Sequence, residues 1–136
     1  MFERVTRGIR NNNPLNIRKG NNWQGERNPQ ADPAFEEFSC MVYGLRAGFK
    51  LIKNYMTKAP KATTIRDIIT RWAPPSENNT EAYIHFVATA VGIRPETKMD
   101  FRESTRICAL VSAMCQMESN YKPSQALLAT AYGMVV

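Results

Sequence analysis

The chain has 136 residues, a mass of 15.4 kDa and 43% apolar side chains, enough for one packed core and too short for several domains. Charged residues at 22% and aromatics at 10% exclude a disordered composition, while 18 Lys and Arg against 12 Asp and Glu give a net charge of +6 and a pI near 9.5. That balance favours anionic partners, whether nucleic acid, acidic lipid or bacterial cell wall; no run of five like charges occurs, so nucleic acid is not expected.

Residues 1–10 are charged and lack the apolar centre of a signal peptide, and no apolar run reaches the length of a membrane span. The expectation is synthesis in the cytoplasm, with any work at the cell wall requiring another delivery route. Cys40, Cys108 and Cys115 form no metal-binding spacing, and His85 stands alone, so no metal and no cofactor are expected. Cys108 and Cys115 lie roughly 10 Å apart along one helix, too far for a mutual disulfide, and the three thiols are expected free and buried.

Residues 1–34 are dense in turn formers, including Gly8, the run Asn11-Asn12-Asn13-Pro14, Gly20-Asn21-Asn22, Gly25, Asn28-Pro29 and Asp32-Pro33. Ile9, Leu15, Ile17 and Trp23 are the anchors available to order them. Residues 35–38 suggest a very short strand paired with Trp23 and Gln24. A helix follows from an N-cap at Ser39 to about Thr57, with Leu45, Phe49, Leu51 or Ile52, and Tyr55 along one side, and with Gly44 and Gly48 permitting close approach of another segment. Thr64 caps a short helix whose apolar face is Ile65, Ile68, Ile69 and Trp72, and Pro74-Pro75 stops it. Asn79 or Thr80 caps a third helix over 81–91, with Tyr83, Phe86, Val87, Ala90 and Val91 inward and Gly92 at its end. Asp100 followed by Glu103 caps a fourth over about 101–119, and Ser124 opens a last one from Gln125 to about Tyr132.

The fourth helix carries the most informative residue. Ile107, Val111, Met114 and Glu118 fall on one face at 3.6 residues per turn, so a carboxylate lies on the stripe that faces the core. Glu is almost never fully buried unpaired, but at a helix end it can stand half desolvated at a cleft wall, where a raised pKa would make it a general acid. The bland alternative is a solvent-facing terminal Glu.

The segment Leu110 to Pro123, with Met117-Glu118-Ser119-Asn120-Tyr121 at its centre, followed by Ala131-Tyr132-Gly133-Met134-Val135, resembles the signature of the soluble lytic transglycosylases and goose-type lysozymes. That signature has an apolar helix, Glu-Ser-Gly, an aromatic, a Pro two residues on, and a later Gly-Leu-Met-Gln. Asn120 stands where Gly is usual and Val135 where Gln is usual. The stretch Pro74-Pro75-Ser76-Glu77 with Thr80-Glu81-Ala82-Tyr83-Ile84 resembles the Pro-x-x-Glu-Thr-x-x-Tyr-Val segment of the same family, in which the Tyr reaches the catalytic cleft. In that family it follows the Glu helix, and here it precedes it. Asn12-Asn13-Pro14-Leu15-Asn16-Ile17-Arg18 with Trp23-Gln24-Gly25 and Phe35 to Phe38 resembles cell-wall glucosaminidases and lysozyme-like bacteriophage virion proteins, the latter over most of the chain from Arg7 to about Tyr121, including Arg71-Trp72-Ala73-Pro74-Pro75.

The resemblance implies a mainly α, lysozyme-like (lytic transglycosylase-like) single domain over residues 1–136, circularly permuted, with at most a very short β-hairpin near 23–38. It implies peptidoglycan as substrate, phage or prophage origin, and action at the cell wall or periplasm or within a virion. Glu118 takes the role of general acid/base, and Ser119, Tyr83, Asn12, Asn13, Asn16, Trp23 and Tyr132 supply the amides and aromatic faces that a sugar polymer needs. Glu26, Glu36, Glu37 and Glu77 are the loop candidates for a second carboxylate, none placed by spacing, so chemistry with one Glu ranks first. Two rivals stand beside it: a virion structural or wall-binding protein that keeps the fold without the chemistry, and a peptidoglycan endopeptidase, since one lysozyme-like relative in enveloped phages cleaves peptide cross-links. Trp72 reads as a core plug, Glu77 as a loop or cap residue, and Tyr83 is open between packing and function.

Overall fold

The helix starts follow local chemistry closely. In the computed structural model, which describes residues 5–136, the helices are α1 (Arg7–Arg10), α2 (Met41–Thr57), α3 (Ile65–Trp72), α4 (Thr80–Val91), α5 (Ser104–Ser119) and α6 (Gln125–Gly133). The Thr64, Asn79 and Ser124 side chains accept the backbone N–H of Asp67, Ala82 and Leu127 at 3.1, 3.2 and 3.1 Å, satisfying donors that the helices leave open. Gly92 ends α4 with φ 81°, a left-handed geometry that costs glycine nothing.

Two starts differ from the sequence reading. Ser39 donates its N–H to the Gly25 carbonyl at 2.8 Å, which ties it to the preceding loop, and Cys40 becomes the N-cap of α2 without a side-chain bond. Asp100 does not open α5; its carboxylate accepts the Arg102 N–H at 2.9 Å in a tight turn, and Glu103 is the N-cap. The four-residue α1, capped by Thr6, lies in a stretch expected to be loop throughout. The part of the expected signal-free segment over residues 1–4 lies outside the described residues.

The fold is mainly helical. Among the described residues, β pairing amounts to two isolated bridges, Arg18 with Phe35 and Glu26 with Phe38, so the partner of the 35–38 segment is not Trp23-Gln24. A single buried cluster runs through all the longer helices. At its centre α5 buries Ile107, Leu110, Val111, Ala113 and Met114 against α4 and α6, while α2 packs on α6 and α3. On α4 the inward residues are Tyr83, Ile84, Val87 and Ala88; Phe86 and Ala90, expected inside, face out, because the short helix offers α3 and α5 only one side. Of the three free thiols only Cys115 is buried; Cys40 is exposed and Cys108 half-buried, a correction to the expectation of three buried ones.

The Asn- and Gly-rich segment is ordered by polar hubs more than by apolar weight. Asp32 accepts both guanidinium arms of Arg7 at 2.6 Å, the Asn11 amide at 2.9 Å and the N–H groups of Ala34 and Phe35. The Arg7 hydrogen bonds hold the Asp32 carboxyl far below the usual range. Glu37 does the same for Ala31, Asp32 and Arg27. Gly44 lies flush against the Asn12 carbonyl and Gly48 against Leu15, so the close approach that the two glycines allow is taken by this loop. Residues 38–66 contain six Lys and Arg and no carboxylate, so the net charge of +6 is concentrated on α2 and the segment after it. Among the described residues, no helix is long and apolar enough to cross a membrane.

Candidate functional site

Glu118 occupies the last turn of α5, where backbone carbonyls have no helical partner. The N-terminal loop supplies them. The Asn16 amide donates to the Glu118 carbonyl at 3.0 Å, the Thr6 hydroxyl donates to the Ser119 carbonyl at 2.8 Å, and the Ser119 hydroxyl donates to the Pro14 carbonyl at 2.8 Å. Gly8 sits over Ser119 where a larger residue would collide, so loop and helix end are in contact along several residues. Asn120 then takes the left-handed C-cap position with φ 50° and donates to the Gln116 carbonyl at 3.0 Å. Asn tolerates that left-handed conformation better than other non-glycine side chains.

The geometry fixes the Glu118 carboxylate from two sides. Tyr83, buried on α4, donates its hydroxyl to Oε2 at 3.0 Å, and Asn16 Nδ2 approaches Oε1 at 3.5 Å. Burial first, and the Glu118 charge second, push the Tyr83 phenol well above its usual range, so it is a neutral donor under all ordinary conditions. The buried Cys115 thiol is pushed up by the same two causes, which favours the protonated form.

Glu118 faces a cleft of about 410 Å³. Asn16, Arg18, Asn21 and Trp23 line it from the N-terminal loop, Leu51 and Tyr55 from α2, Trp72 from α3, and Glu77 and Asn78 from the α3–α4 loop. Tyr55 and Trp72 meet edge to face with centroids 6.2 Å apart. The mixture of aromatic faces, amides and one half-buried carboxylate suits a polyhydroxylated ligand. A larger hollow of about 690 Å³, between α4 and α5 around Phe86 and Ala113, has no carboxylate in its lining and offers no acid for bond cleavage. Two polar atoms of the cleft residues, Asn16 Oδ1 and Trp23 Nε1, are buried without a hydrogen-bond partner.

Of the residues expected to bind substrate, Asn16, Trp23 and Tyr83 meet at Glu118 or its cleft. The other four have polar groups engaged within the fold. Asn13 is fully buried and spends its amide on the Ile17 and Glu36 carbonyls and its oxygen on the Ile17 N–H. Asn12 donates to the Phe38 carbonyl at 3.1 Å, and Ser119 is consumed by Pro14. Tyr132 packs in the core between Phe49 and Phe101 and donates to the Phe101 carbonyl at 2.7 Å. Trp72, expected in the core, is a cleft wall; its neighbour Tyr55 and the stacked Arg18 on Phe35 were not singled out, since nothing local separates a cleft aromatic from a packed one.

No family model matches the sequence. Protein P5 of Pseudoalteromonas phage PM2 is 44% identical over 123 residues, which span 88% of this chain and 74% of that protein. The chain belongs to the Protein P5 family. Identity at this level over most of both sequences makes the helical architecture described above the expected one for the phage P5 protein. The name P5 carries no activity with it, so chemistry in this P5-family member has to be argued from the cleft.

Proposed function

We propose that this chain is a lysozyme-like domain of phage or prophage origin that cleaves the glycan strand of peptidoglycan, with Glu118 as general acid/base. The observation that carries the reading is the Glu118 carboxylate, half-buried at the end of an apolar helix, held by the Tyr83 hydroxyl at 3.0 Å and opening onto a cleft of aromatic and amide side chains. Tyr83 standing at Glu118 is the contact that the Pro-x-x-Glu-Thr-x-x-Tyr resemblance implies, and it supports a permuted lysozyme-like arrangement. In the reaction Glu118 gives its proton to the leaving glycosidic oxygen as the bond to the anomeric carbon breaks. The cation-like sugar is then captured either by its own hydroxyl, as in lytic transglycosylases, or by water, as in muramidases. Tyr83 and Asn16 keep the carboxyl aimed throughout, and Trp23 and Trp72 offer faces for sugar stacking.

The test is clearing of purified cell walls by the wild type beside Glu118→Gln. Wild-type digestion lost in Glu118→Gln, with the variant folded, supports the reading. Walls that retain the wild type undigested refute it in favour of a wall-binding or virion structural protein. Products with new free amines in place of new sugar ends assign the cleft to an endopeptidase.

A further inference from the structure

Resting on the glycan-cleaving reading, we infer that Glu77 is the second carboxylate of the cleft and activates the water that attacks the anomeric carbon, making the chain an inverting hydrolase. Four loop carboxylates compete for this role, and the fold consumes three of them. Glu26 accepts the Trp23 N–H at 2.9 Å. Glu36 is buried, with its Oε2 unpartnered, beneath the loop. Glu37 is saturated by Arg27 and by the N–H groups of Ala31 and Asp32.

Glu77 differs in each respect. It lines the same cleft as Glu118, and these two are the only carboxylates that do so among the described residues. Its side chain makes no hydrogen bond and no ion pair with any described residue, although its backbone is held: Glu77 N–H and the Asn78 amide both donate to the Pro74 carbonyl, at 3.1 and 3.2 Å. Thr80 donates to the Ala73 carbonyl at 2.6 Å and Asn79 caps α4, bracing the far end of the loop. One short segment therefore brings an unengaged carboxylate to the cleft and, through Tyr83, grips the acid.

The step balances with water alone. Glu118 transfers a proton to the leaving oxygen as the C1–O bond breaks, the water oxygen forms the new bond to C1, and the water proton passes to Glu77. The products are a free hydroxyl and a reducing end of inverted configuration, and solvent returns the proton from Glu77 to Glu118. Inverting glycosidases likewise pair an acid with a second carboxylate that activates the attacking water, and no anhydro-sugar forms.

The experiment digests purified cell walls with wild type, Glu77→Gln and Glu77→Ala, analyses the fragments by mass spectrometry, and repeats the Glu77→Ala digestion with added azide. Expected are reducing-end products from the wild type, a loss of about 10²–10⁴-fold in both variants with unchanged circular dichroism, and azide rescue yielding a glycosyl azide of inverted configuration. Anhydro-sugar products, or a Glu77→Ala rate equal to wild type, overturn the role of Glu77 while Glu118 stands. If wild type cleaves no glycan, both fall together.

Discussion

Replacing Tyr83 with Phe tests the link between α4 and the proposed acid, because it removes one oxygen and keeps the ring that packs beneath the cleft. The hydroxyl donates to Glu118 Oε2 at 3.0 Å, and the second donor, Asn16 Nδ2, at 3.5 Å from the other oxygen, is the weaker of the two. A hydrogen bond to a carboxylate in a partly buried setting is worth about 1.5–3 kcal/mol, and its loss leaves Oε2 without a protein donor. At about 3 °C per kcal/mol for a chain of this size, the melting temperature should fall by roughly 5–9 °C. Glu118→Gln should be milder, since an amide oxygen still accepts from Tyr83. Urea unfolding of Tyr83→Phe, Glu118→Ala and the double variant, each of which removes the bond, closes a cycle whose coupling should be about 1–2 kcal/mol. Wall clearing by Tyr83→Phe should drop about 10–100-fold, because the carboxyl is no longer aimed. A coupling below about 0.5 kcal/mol, together with unaltered clearing, would refute the role of Tyr83 at the site.

Two further outcomes concern the loop that holds Glu118. Gly44→Ala places a methyl group against the Asn12 backbone carbonyl, which cannot move without disturbing the Asn12–Leu15 loop, so urea unfolding should show a loss of about 2–4 kcal/mol; a loss under 1 kcal/mol means the loop yields freely. Burial, and then the hydrogen bond with Glu26, push the Glu36 carboxyl up to about 7, so the folded chain binds the proton more tightly than the unfolded chain. The stabilisation is present below the ordinary carboxylate range and is lost as pH rises through 7, up to about 3 kcal/mol. Unfolding free energies at pH 5 and pH 8 should differ in the wild type and converge in Glu36→Gln; equal slopes in both proteins exclude Glu36 as the source.

Much of the helical framework was legible because its signals are local. Thr64, Asn79 and Ser124 each cap the helix that follows them, and Pro74-Pro75 and Gly92 end helices where expected. The stripe Ile107, Val111, Met114 is buried and Glu118 at its end is half-buried, as a 3.6-residue period requires. Where a side chain had competing partners the sequence was less informative. Ser39 and Asp100 have good capping chemistry, yet the first is held by Gly25 and the second turns back on Arg102. Phe86 is as apolar as Val87, and only the side on which α3 and α5 pack puts it outside.

The sequence alone determined that the chain is helical, that a carboxylate closes its most apolar helix, and that asparagines crowd the N-terminal stretch. Those properties depend on residue type and on spacings within a turn or two. Which amides remain available was decided by tertiary contacts spanning four to more than a hundred residues. Asn13 and Asn16 are three apart and chemically identical, yet one is spent on Ile17 and Glu36 and the other reaches Glu118. Glu77 is distinguished from Glu26, Glu36 and Glu37 in the same way, by lying on the Glu118 cleft while Glu26 and Glu37 are held by the loop and Glu36 is buried. A polar group is satisfied or left over only when the whole chain has closed around it, and that accounting is visible only in the folded structure.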